Sequence, residues 1–199
     1  QGEGGINPAT EEFLRATREA TEDVGAALIF DEVQTGLGRT GTLWASQQAG
    51  VVPDMLTVAK GLANGLPVGA TLARDWIVEG YGDHGSTFSG GPVVSAAARA
   101  TVETIREEEL PAHAAEMGEY LRGQLDAELG DSVREVRGEG LMVGIEVKRG
   151  ANRLLKDLAI EEGLLALPAG RTVLRLLPPL TIEREHVDES VDALEAVVG

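Results

Sequence analysis

The sequence has 199 residues, of which 43% are hydrophobic, so it can bury the core of one or two domains. Its 33 acidic and 17 basic residues give a formal net charge of −16, which excludes nucleic-acid binding through a general basic surface. The absence of cysteine excludes disulfides and cysteine-based metal sites. No apolar run approaches the ~20 residues of a membrane span. We therefore expect a cytoplasmic protein that binds no metal, nucleic acid or membrane.

The first hundred residues alternate between helical and strand-like patterns. A constrained glycine-rich turn, Gln1–Gly5, opens the chain without a preceding element, so we expect the chain to be a fragment of a longer protein. Apolar runs bounded by glycine or polar residues predict buried strands at Ala26–Phe30, in a parallel sheet, and at Met55–Ala59. A third buried strand is predicted at Val68–Ala73. Helices are predicted over residues 8–23, 44–50 and 92–108.

The second half of the chain has a different pattern. Residues 133–136 and 142–147 alternate like strands with one exposed face, and further strands are predicted at 164–167 and 172–176. Helices are predicted over residues 111–129, 151–162 and 183–198. We predict an α/β protein in which residues 1–100 belong to a large domain and residues 101–199 form a smaller α+β domain.

Two acidic residues, Asp31 and Glu32, directly follow the first apolar strand. Ligands of open parallel sheets bind outside the carboxyl ends of the strands, so these residues are predicted to face a crevice. Position alone is equally consistent with a helix cap or a structural acid.

Lys60 follows the next apolar strand and is the only lysine among the first 147 residues. Arginine supplies the other basic side chains there, but it cannot replace lysine as a deprotonatable amine that forms an imine. Gly61 and the turn that begins at Gly65 let the backbone approach a ligand closely. The structural alternative is a salt bridge between Lys60 and Asp31.

The two side chains together indicate a more specific chemistry. Pyridoxal phosphate (PLP) enzymes need a lysine that binds the cofactor and an acid that faces the pyridine nitrogen. Neighbouring strand ends can present Lys60 and Asp31 to one flat cofactor. The sequence therefore favours a PLP site.

Five segments resemble the class III (ornithine-type) aminotransferases, in the same order along the chain. The signature of this family resembles Ile29–Gly41 (IFDEVQTGLGRTG) followed by Pro53–Gly61 (PDMLTVAKG). Its glycine-rich turn resembles Gln1–Gly5 (QGEGG), its phosphate-contacting segment His84–Phe88 (HGSTF), and its C-terminal substrate segment Val173–Leu180 (VLRLLPPL). The resemblance covers nearly the whole chain and implies the PLP-dependent transferase fold of type I (aspartate aminotransferase-like).

The resemblance assigns roles around the cofactor. Lys60 would hold PLP as a Schiff base and transfer protons, and Asp31 would pair with the pyridine nitrogen. Gln34 would contact the ring hydroxyl. Thr87, contributed by the partner subunit of a homodimer, would contact the phosphate, together with the adjacent Ser86.

The resemblance also assigns two substrate residues. Arg175 would bind the α-carboxylate of the substrate. Glu3 would pair with an active-site arginine when a long diamino substrate is bound and release that arginine for glutamate. The structural alternative for Arg175 is an ordinary surface arginine on an edge strand, and for Glu3 it is an acid in a turn.

Two departures from the family pattern accompany the resemblance. Ser89–Pro92 (SGGP) stands where the family usually has glycine-glycine-asparagine-proline, which implies a small local change. The glycine-rich phosphate loop, the ring-stacking aromatic and the distal-substrate arginine of the family's N-terminal half have no counterpart in the sequence. We therefore expect the 199-residue chain alone to lack transaminase activity.

Within the family, Leu165–Arg175 is most similar to acetylornithine aminotransferases and to enzymes that act on lysine or ornithine attached to an amino-group carrier protein. The implied substrates are amino acids and 2-oxoglutarate, with a carrier protein as an alternative partner, in arginine or lysine biosynthesis. Ornithine and 4-aminobutyrate aminotransferases are further alternatives.

Two hypotheses from other functional classes are a P-loop ATPase and a regulatory protein without catalytic activity. The strand Leu28–Phe30 followed by Asp31 and Glu32 resembles the magnesium-binding element of a P-loop ATPase, but the sequence has no G-x-x-x-x-G-K-[ST] segment. That hypothesis leaves Lys60, Thr87 and Arg175 without a role. A regulatory relative that lost its chemistry would have had little reason to retain this set of side chains.

Overall fold

A computed structural model describes residues 1–77, 80, 85–148 and 150–199 of the chain. The chain divides into two compact units. The first holds Gln1–Ala9, Arg39–Gly41 and Leu110–Gly199, and the second holds Thr10–Gly38 and Thr42–Glu109. The predicted domain boundary at residue 100 stays a prediction. Within the described residues, no helix combines the length and the apolarity needed to cross a membrane.

The second unit contains helices and short strands close to the predicted positions. They are α1 Glu11–Asp23, β1 Ile29–Asp31, β2 Met55–Val58, β3 Ala70–Ala73 and α2 Pro92–Glu107, with 3-10 helices at Ala45–Gln47 and Lys60–Ala63. The predicted start of the first helix at Pro8 is wrong, because the Thr10 hydroxyl accepts a hydrogen bond from the Phe13 amide and caps the helix there.

The sheet of the second unit has the strand order β1-β2-β3 among the described residues. The strands β1 and β2 are parallel, as predicted, and β3 pairs antiparallel with β2. The predicted burial is wrong for the outer strands. Ile29 of β1 is 55% exposed and Leu72 of β3 is 48% exposed, whereas Leu56 of β2 is buried.

The first unit carries a second sheet and further helices. Its elements are α3 Leu110–Leu129, β4 Val133–Glu139, β5 Met142–Val147, α4 Ala151–Asp157, a π-helical turn Leu158–Glu162, β6 Leu167–Ala169, β7 Val173–Leu176 and α5 Arg184–Val198. The strand order is β4-β5-β7-β6, and each neighbouring pair is antiparallel. The strand predicted at 164–167 lies later, at 167–169, because the helical turn before it extends to Glu162.

This second sheet is covered on both faces. Alternate residues of β5 and β7, such as Ile145 and Leu174, pack against the helices in the main core. On the opposite face, Ile6 from the N-terminal turn packs with Met142, Ala169 and Val173. The prediction that β5 has one exposed face is therefore wrong, because the N-terminal turn covers that face.

Candidate active site

Asp31 ends β1 with its carboxylate held in one orientation. Its Oδ1 accepts hydrogen bonds from the Thr57 hydroxyl, at 3.1 Å, and from the Val33 amide, at 3.0 Å. Thr57 is its register partner on the parallel strand β2. The residue is exposed, and Oδ2 accepts no hydrogen bond from the residues that the structure describes. The carboxylate is thus oriented by the sheet and retains one oxygen for a further donor.

Lys60 lies just beyond the carboxyl end of β2, in the same unit as Asp31. It is exposed, and its φ of 46° places it in the left-handed region. For a residue with a β-carbon that conformation costs about 1–2 kcal/mol, and such strain is concentrated at functional sites. No ion pair or hydrogen bond joins Nζ to Asp31 or to another described residue, so the salt-bridge alternative is wrong.

Glu32 does not share the environment of Asp31. It is 2% exposed, and its carboxylate accepts hydrogen bonds from the Ala45 amide, the Ser46 amide and the Thr35 hydroxyl at 2.7–2.9 Å. These bonds tie the turn after β1 to the 3-10 helix at 45–47. The prediction that Glu32 faces a crevice is therefore wrong, and its role is structural.

The remaining predicted cofactor residues lie in loops of the second unit. Gln34 is partly buried in the turn that follows β1. Ser86 and Thr87 are exposed and precede α2. His84, in the predicted phosphate-contacting segment, lies outside the described residues. The assigned contacts of these side chains stay predictions.

In the first unit the structure brings Arg175 and Glu3 together. Arg175 is 8% exposed and lies on β7, which has a neighbouring strand on each side. It is therefore not a surface arginine on an edge strand. Its Nη1 donates to Oε1 of Glu3 at 2.6 Å, while the side chain of Glu3 is 74% exposed. A buried guanidinium thus meets a carboxylate that solvent can reach.

Sequence reasoning missed Arg137, which anchors the N-terminal turn on the sheet. Its guanidinium donates to the carbonyl oxygens of Gly5 and Ile6 at 2.7–3.0 Å and to the carboxylates of Glu135 and Glu146 at 2.7 Å. The hydrogen bond from Arg137 holds the pKa of Glu146 below its usual value. The predicted strand ended at Val136, one residue before Arg137, and no local signal identified the distant carbonyls.

Arg39, from the motif after Asp31, also has a structural role within the first unit. It donates to the carbonyl oxygens of Leu141 and Pro178, and burial lowers its pKa. The Leu141 amide donates in return to the carbonyl of Arg39 at 3.0 Å. This short segment therefore packs on the turn between β4 and β5.

The comparisons with known proteins cover nearly the whole chain. The family model for class III aminotransferases matches residues 1–198. An acetylornithine aminotransferase of Methanosarcina acetivorans is 48% identical over 98% of this chain and 49% of that protein. A LysW-aminoadipate semialdehyde/glutamate semialdehyde transaminase of Sulfurisphaera tokodaii is 45% identical over 97% of this chain and 51% of that protein.

A solved structure agrees with these relatives. The acetylornithine aminotransferase of Elizabethkingia anophelis superposes with a TM-score of 0.92 at 36% identity, over 100% of this chain and 52% of that chain. The predicted fold class, the PLP-dependent transferase fold of type I, is confirmed. The chain spans about half the length of the curated relatives it matches.

Proposed function

The chain belongs to the class III aminotransferase family, and we propose that the complete protein is a PLP-dependent aminotransferase. It would move the terminal amino group of acetylornithine, or of lysine or ornithine attached to a carrier protein, to 2-oxoglutarate. The products would be a semialdehyde and glutamate. The observation that carries this proposal is the environment of Lys60, an exposed amine in a left-handed conformation beyond the strand next to Asp31.

The donor set of the second unit fits the cofactor. Lys60 supplies an amine that no described residue engages, and Asp31 supplies a carboxylate oxygen that accepts no hydrogen bond from the described residues. Asp31 ends β1 and Lys60 follows β2, so both lie at the carboxyl ends of two parallel strands, where ligands of such sheets bind. When bound, PLP supplies an electron-withdrawing ring that weakens bonds at the substrate carbon attached to nitrogen.

The side chains then have distinct tasks. Asp31 keeps the pyridine nitrogen protonated, because Thr57 and Val33 fix its carboxylate in place. Lys60 would hold the cofactor covalently, and its amine would also serve as the group that transfers a proton at the substrate carbon. Gln34 would contact the ring hydroxyl, and Ser86 and Thr87 of the partner subunit of a homodimer would contact the phosphate.

Arg175 and Glu3 account for the use of two kinds of substrate. A guanidinium binds a carboxylate through parallel hydrogen bonds and so orients glutamate or 2-oxoglutarate. Glu3 neutralises Arg175 when the substrate offers it no carboxylate. The contact of 2.6 Å between them supports the paired state of this exchange.

The relatives indicate two classes of amino donor for this reaction. One relative is an acetylornithine aminotransferase, and another is a LysW-aminoadipate semialdehyde/glutamate semialdehyde transaminase. Purified complete protein given acetylornithine or a carrier-linked substrate, with 2-oxoglutarate, would separate them through their specificity constants. Ornithine and 4-aminobutyrate belong in the same assay as the remaining family alternatives.

The cofactor assignment has a direct chemical test. Borohydride reduction of the complete protein after incubation with PLP fixes the cofactor on the lysine that holds it, and peptide mapping locates the label. We expect the label on Lys60, with Lys148 and Lys156 as internal controls. Label on either control lysine, or on none, would overturn the assignment.

A further inference from the structure

We propose that Arg137 is a positioning residue that anchors the turn Gln1–Asn7 and thereby sets how strongly Glu3 pairs with Arg175. This inference rests on the proposed function, in which that pairing selects between substrates. Arg137 touches none of the reacting groups assigned above. Its action would be exerted through the backbone of the turn.

Arg137 has the contacts that an anchor needs. Nε lies 3.0 Å from the carbonyl oxygens of both Gly5 and Ile6, and Nη2 lies 2.7 Å from that of Gly5. Nη1 lies 2.7 Å from carboxylate oxygens of Glu135 and Glu146, which hold the guanidinium in place from the other side. The side chain is only 15% exposed, so water competes little for these bonds.

A glycine on the sheet provides the space into which the turn packs. Gly144 of β5 is the register partner of Arg137 on β4 and of Arg175 on β7, so the two arginines flank it on one face. A β-carbon on Gly144 would lie 2.8 Å from the β-carbon of Ile6. The missing side chain therefore makes room for Ile6, which is 3% exposed.

The turn transmits this anchoring to Glu3. Its backbone closes on itself, since the amides of Gly5 and Ile6 donate to the carbonyl of Gly2, and the Asn7 amide donates to that of Gln1. Glu3 lies inside this closed segment. Its side chain is 74% exposed, so its own packing does little to hold it near Arg175. The backbone that Arg137 and Gly144 hold therefore contributes to the position of its carboxylate.

Weakening the contacts between Arg137 and the turn should shift the substrate preference in one direction. A mobile turn lowers the local concentration of the Glu3 carboxylate at Arg175, which leaves the guanidinium open to a substrate carboxylate. The glutamate half-reaction should then gain relative to the half-reaction of the terminal-amine donor. Because the Glu3 side chain of this pair is 74% exposed, we expect a modest shift of this ratio, roughly three- to fivefold.

Two variants of the complete protein test the proposal, each through a different contact of the turn. Arg137→Gln removes the guanidinium that donates to the carbonyls of the turn. Gly144→Ala places a methyl group where Ile6 packs and leaves Arg137 unchanged. Arg134→Gln is the matched control, because Arg134 lies on the same strand and contacts Glu146 at 3.6 Å but donates to no described residue of the turn. Glu3→Gln and the double variant with Arg137→Gln complete the set.

Two measurements distinguish positioning from general support of the fold. Hydrogen–deuterium exchange, which needs no cofactor, should rise in residues 1–7 for Arg137→Gln and Gly144→Ala but stay unchanged in α3 and α5. Single-turnover kinetics should show both variants shifting the substrate ratio in the direction of Glu3→Gln. The double variant should shift it no further than Glu3→Gln alone, whereas Arg134→Gln should behave like the parent protein.

The outcomes separate this inference from the proposed function. Unchanged exchange in residues 1–7 of both variants would overturn the anchoring role, as would a shift that adds fully to that of Glu3→Gln. An unchanged ratio in both variants, while Glu3→Gln shifts it, would also overturn the proposal. The proposed function fails by a different result, which is borohydride label on a lysine other than Lys60.

Discussion

Thr57 and Asp31 are register partners on parallel strands, and the hydroxyl of Thr57 donates to Oδ1 of Asp31 at 3.1 Å. The Val33 amide donates to the same oxygen at 3.0 Å. The orientation of this carboxylate is therefore a property of the sheet, established before any ligand binds. A group oriented in advance in this way loses little freedom when it meets a charged partner.

We expect Asp31→Asn to retain the cofactor but to lose most of the turnover of the complete protein. An asparagine oxygen can accept both hydrogen bonds, so folding should change little, whereas a neutral amide cannot stabilise a protonated pyridine nitrogen. Loss of a preoriented electrostatic partner lowers turnover by roughly 100-fold or more. Steady-state kinetics and the absorbance of the bound cofactor measure the two effects. Asp75→Asn, at an exposed acid in a turn of the same unit, is the control.

Glu32→Gln should show the reverse pattern, with its main effect on stability. The carboxylate is 2% exposed and receives two amides and a hydroxyl, so an amide nitrogen in place of one oxygen would face a donor. Such a buried mismatch costs about 1–3 kcal/mol of unfolding free energy. Urea denaturation measures the loss, and Glu12→Gln on the exposed face of α1 is the control. Equal midpoints for the two variants would contradict the structural role of Glu32.

Arg175→Ala should lower the specificity constants for glutamate and 2-oxoglutarate, which present an α-carboxylate to Arg175, by the equivalent of several kcal/mol. The half-reaction of acetylornithine should be affected less, because Glu3 takes the place of a substrate carboxylate at Arg175 there. A buried guanidinium that pairs with a carboxylate is lost, and the substrate carboxylate is left desolvated. Arg175→Lys should recover little, because an ammonium lacks the planar pair of donors. Half-reaction kinetics with glutamate and acetylornithine give each effect separately. Arg171→Ala, at an exposed arginine before β7, controls for charge. Intact half-reactions in Arg175→Ala would refute the substrate assignment.

The sequence predicted the elements whose signals are local. The helix that begins at Pro92 ends within a residue of its predicted end, and the helix predicted at 111–129 and observed at Leu110–Leu129 is nearly the same. The strand ends that carry Asp31 and Lys60 were also predicted, because an apolar run followed by a polar residue marks them directly. The family and fold predictions are confirmed on the same segments.

Features that depend on distant partners were not predictable. Arg137 binds the carbonyl of Gly5, 132 residues away, and periodicity along β4 carries no information on that partner. The burial of Glu32 depends on amides that fold back from residues 45 and 46. The same limit explains Ile29, whose apolar run predicted burial although the side chain is 55% exposed. Backbone strain at Lys60, with φ of 46°, has no signature in residue type.

Asp54 should contribute to the unfolding free energy of the chain at neutral pH and lose this contribution in acid. A hydrogen bond from the Leu28 amide and then one from Arg18 hold its pKa below the ordinary value, with a further charge from Arg74. A depressed pKa stabilises the folded chain above the unfolded value of about 3.9, and this contribution is lost as pH falls through the folded value. The difference in unfolding free energy between the parent chain and Asp54→Asn should be constant near neutral pH and shrink below about pH 4. Denaturation curves across this range test the sign, and a difference that grows on acidification would contradict it.

Two glycines of α3 should respond in opposite ways to the same substitution. Alanine normally stabilises a helix interior by about 0.5–1 kcal/mol relative to glycine. Gly123 is exposed, and nothing lies within 4 Å of a β-carbon built on it, so Gly123→Ala should gain about that amount. On Gly118 a β-carbon would lie 2.0 Å from the carbonyl oxygen of Gly140, which is backbone and cannot rotate away.

Gly118→Ala should therefore destabilise the chain even though it improves helix propensity. Either α3 or the turn between β4 and β5 must move, and forcing an extra carbon into a packed site costs about 1–3 kcal/mol or more. The shift would also disturb the hydrogen bond of 3.2 Å that Arg122 donates to the Gly140 carbonyl. Urea denaturation of the two single variants beside the parent chain measures both signs in one experiment. The close packing of α3 on this turn would be refuted if Gly118→Ala stabilised the chain as much as Gly123→Ala.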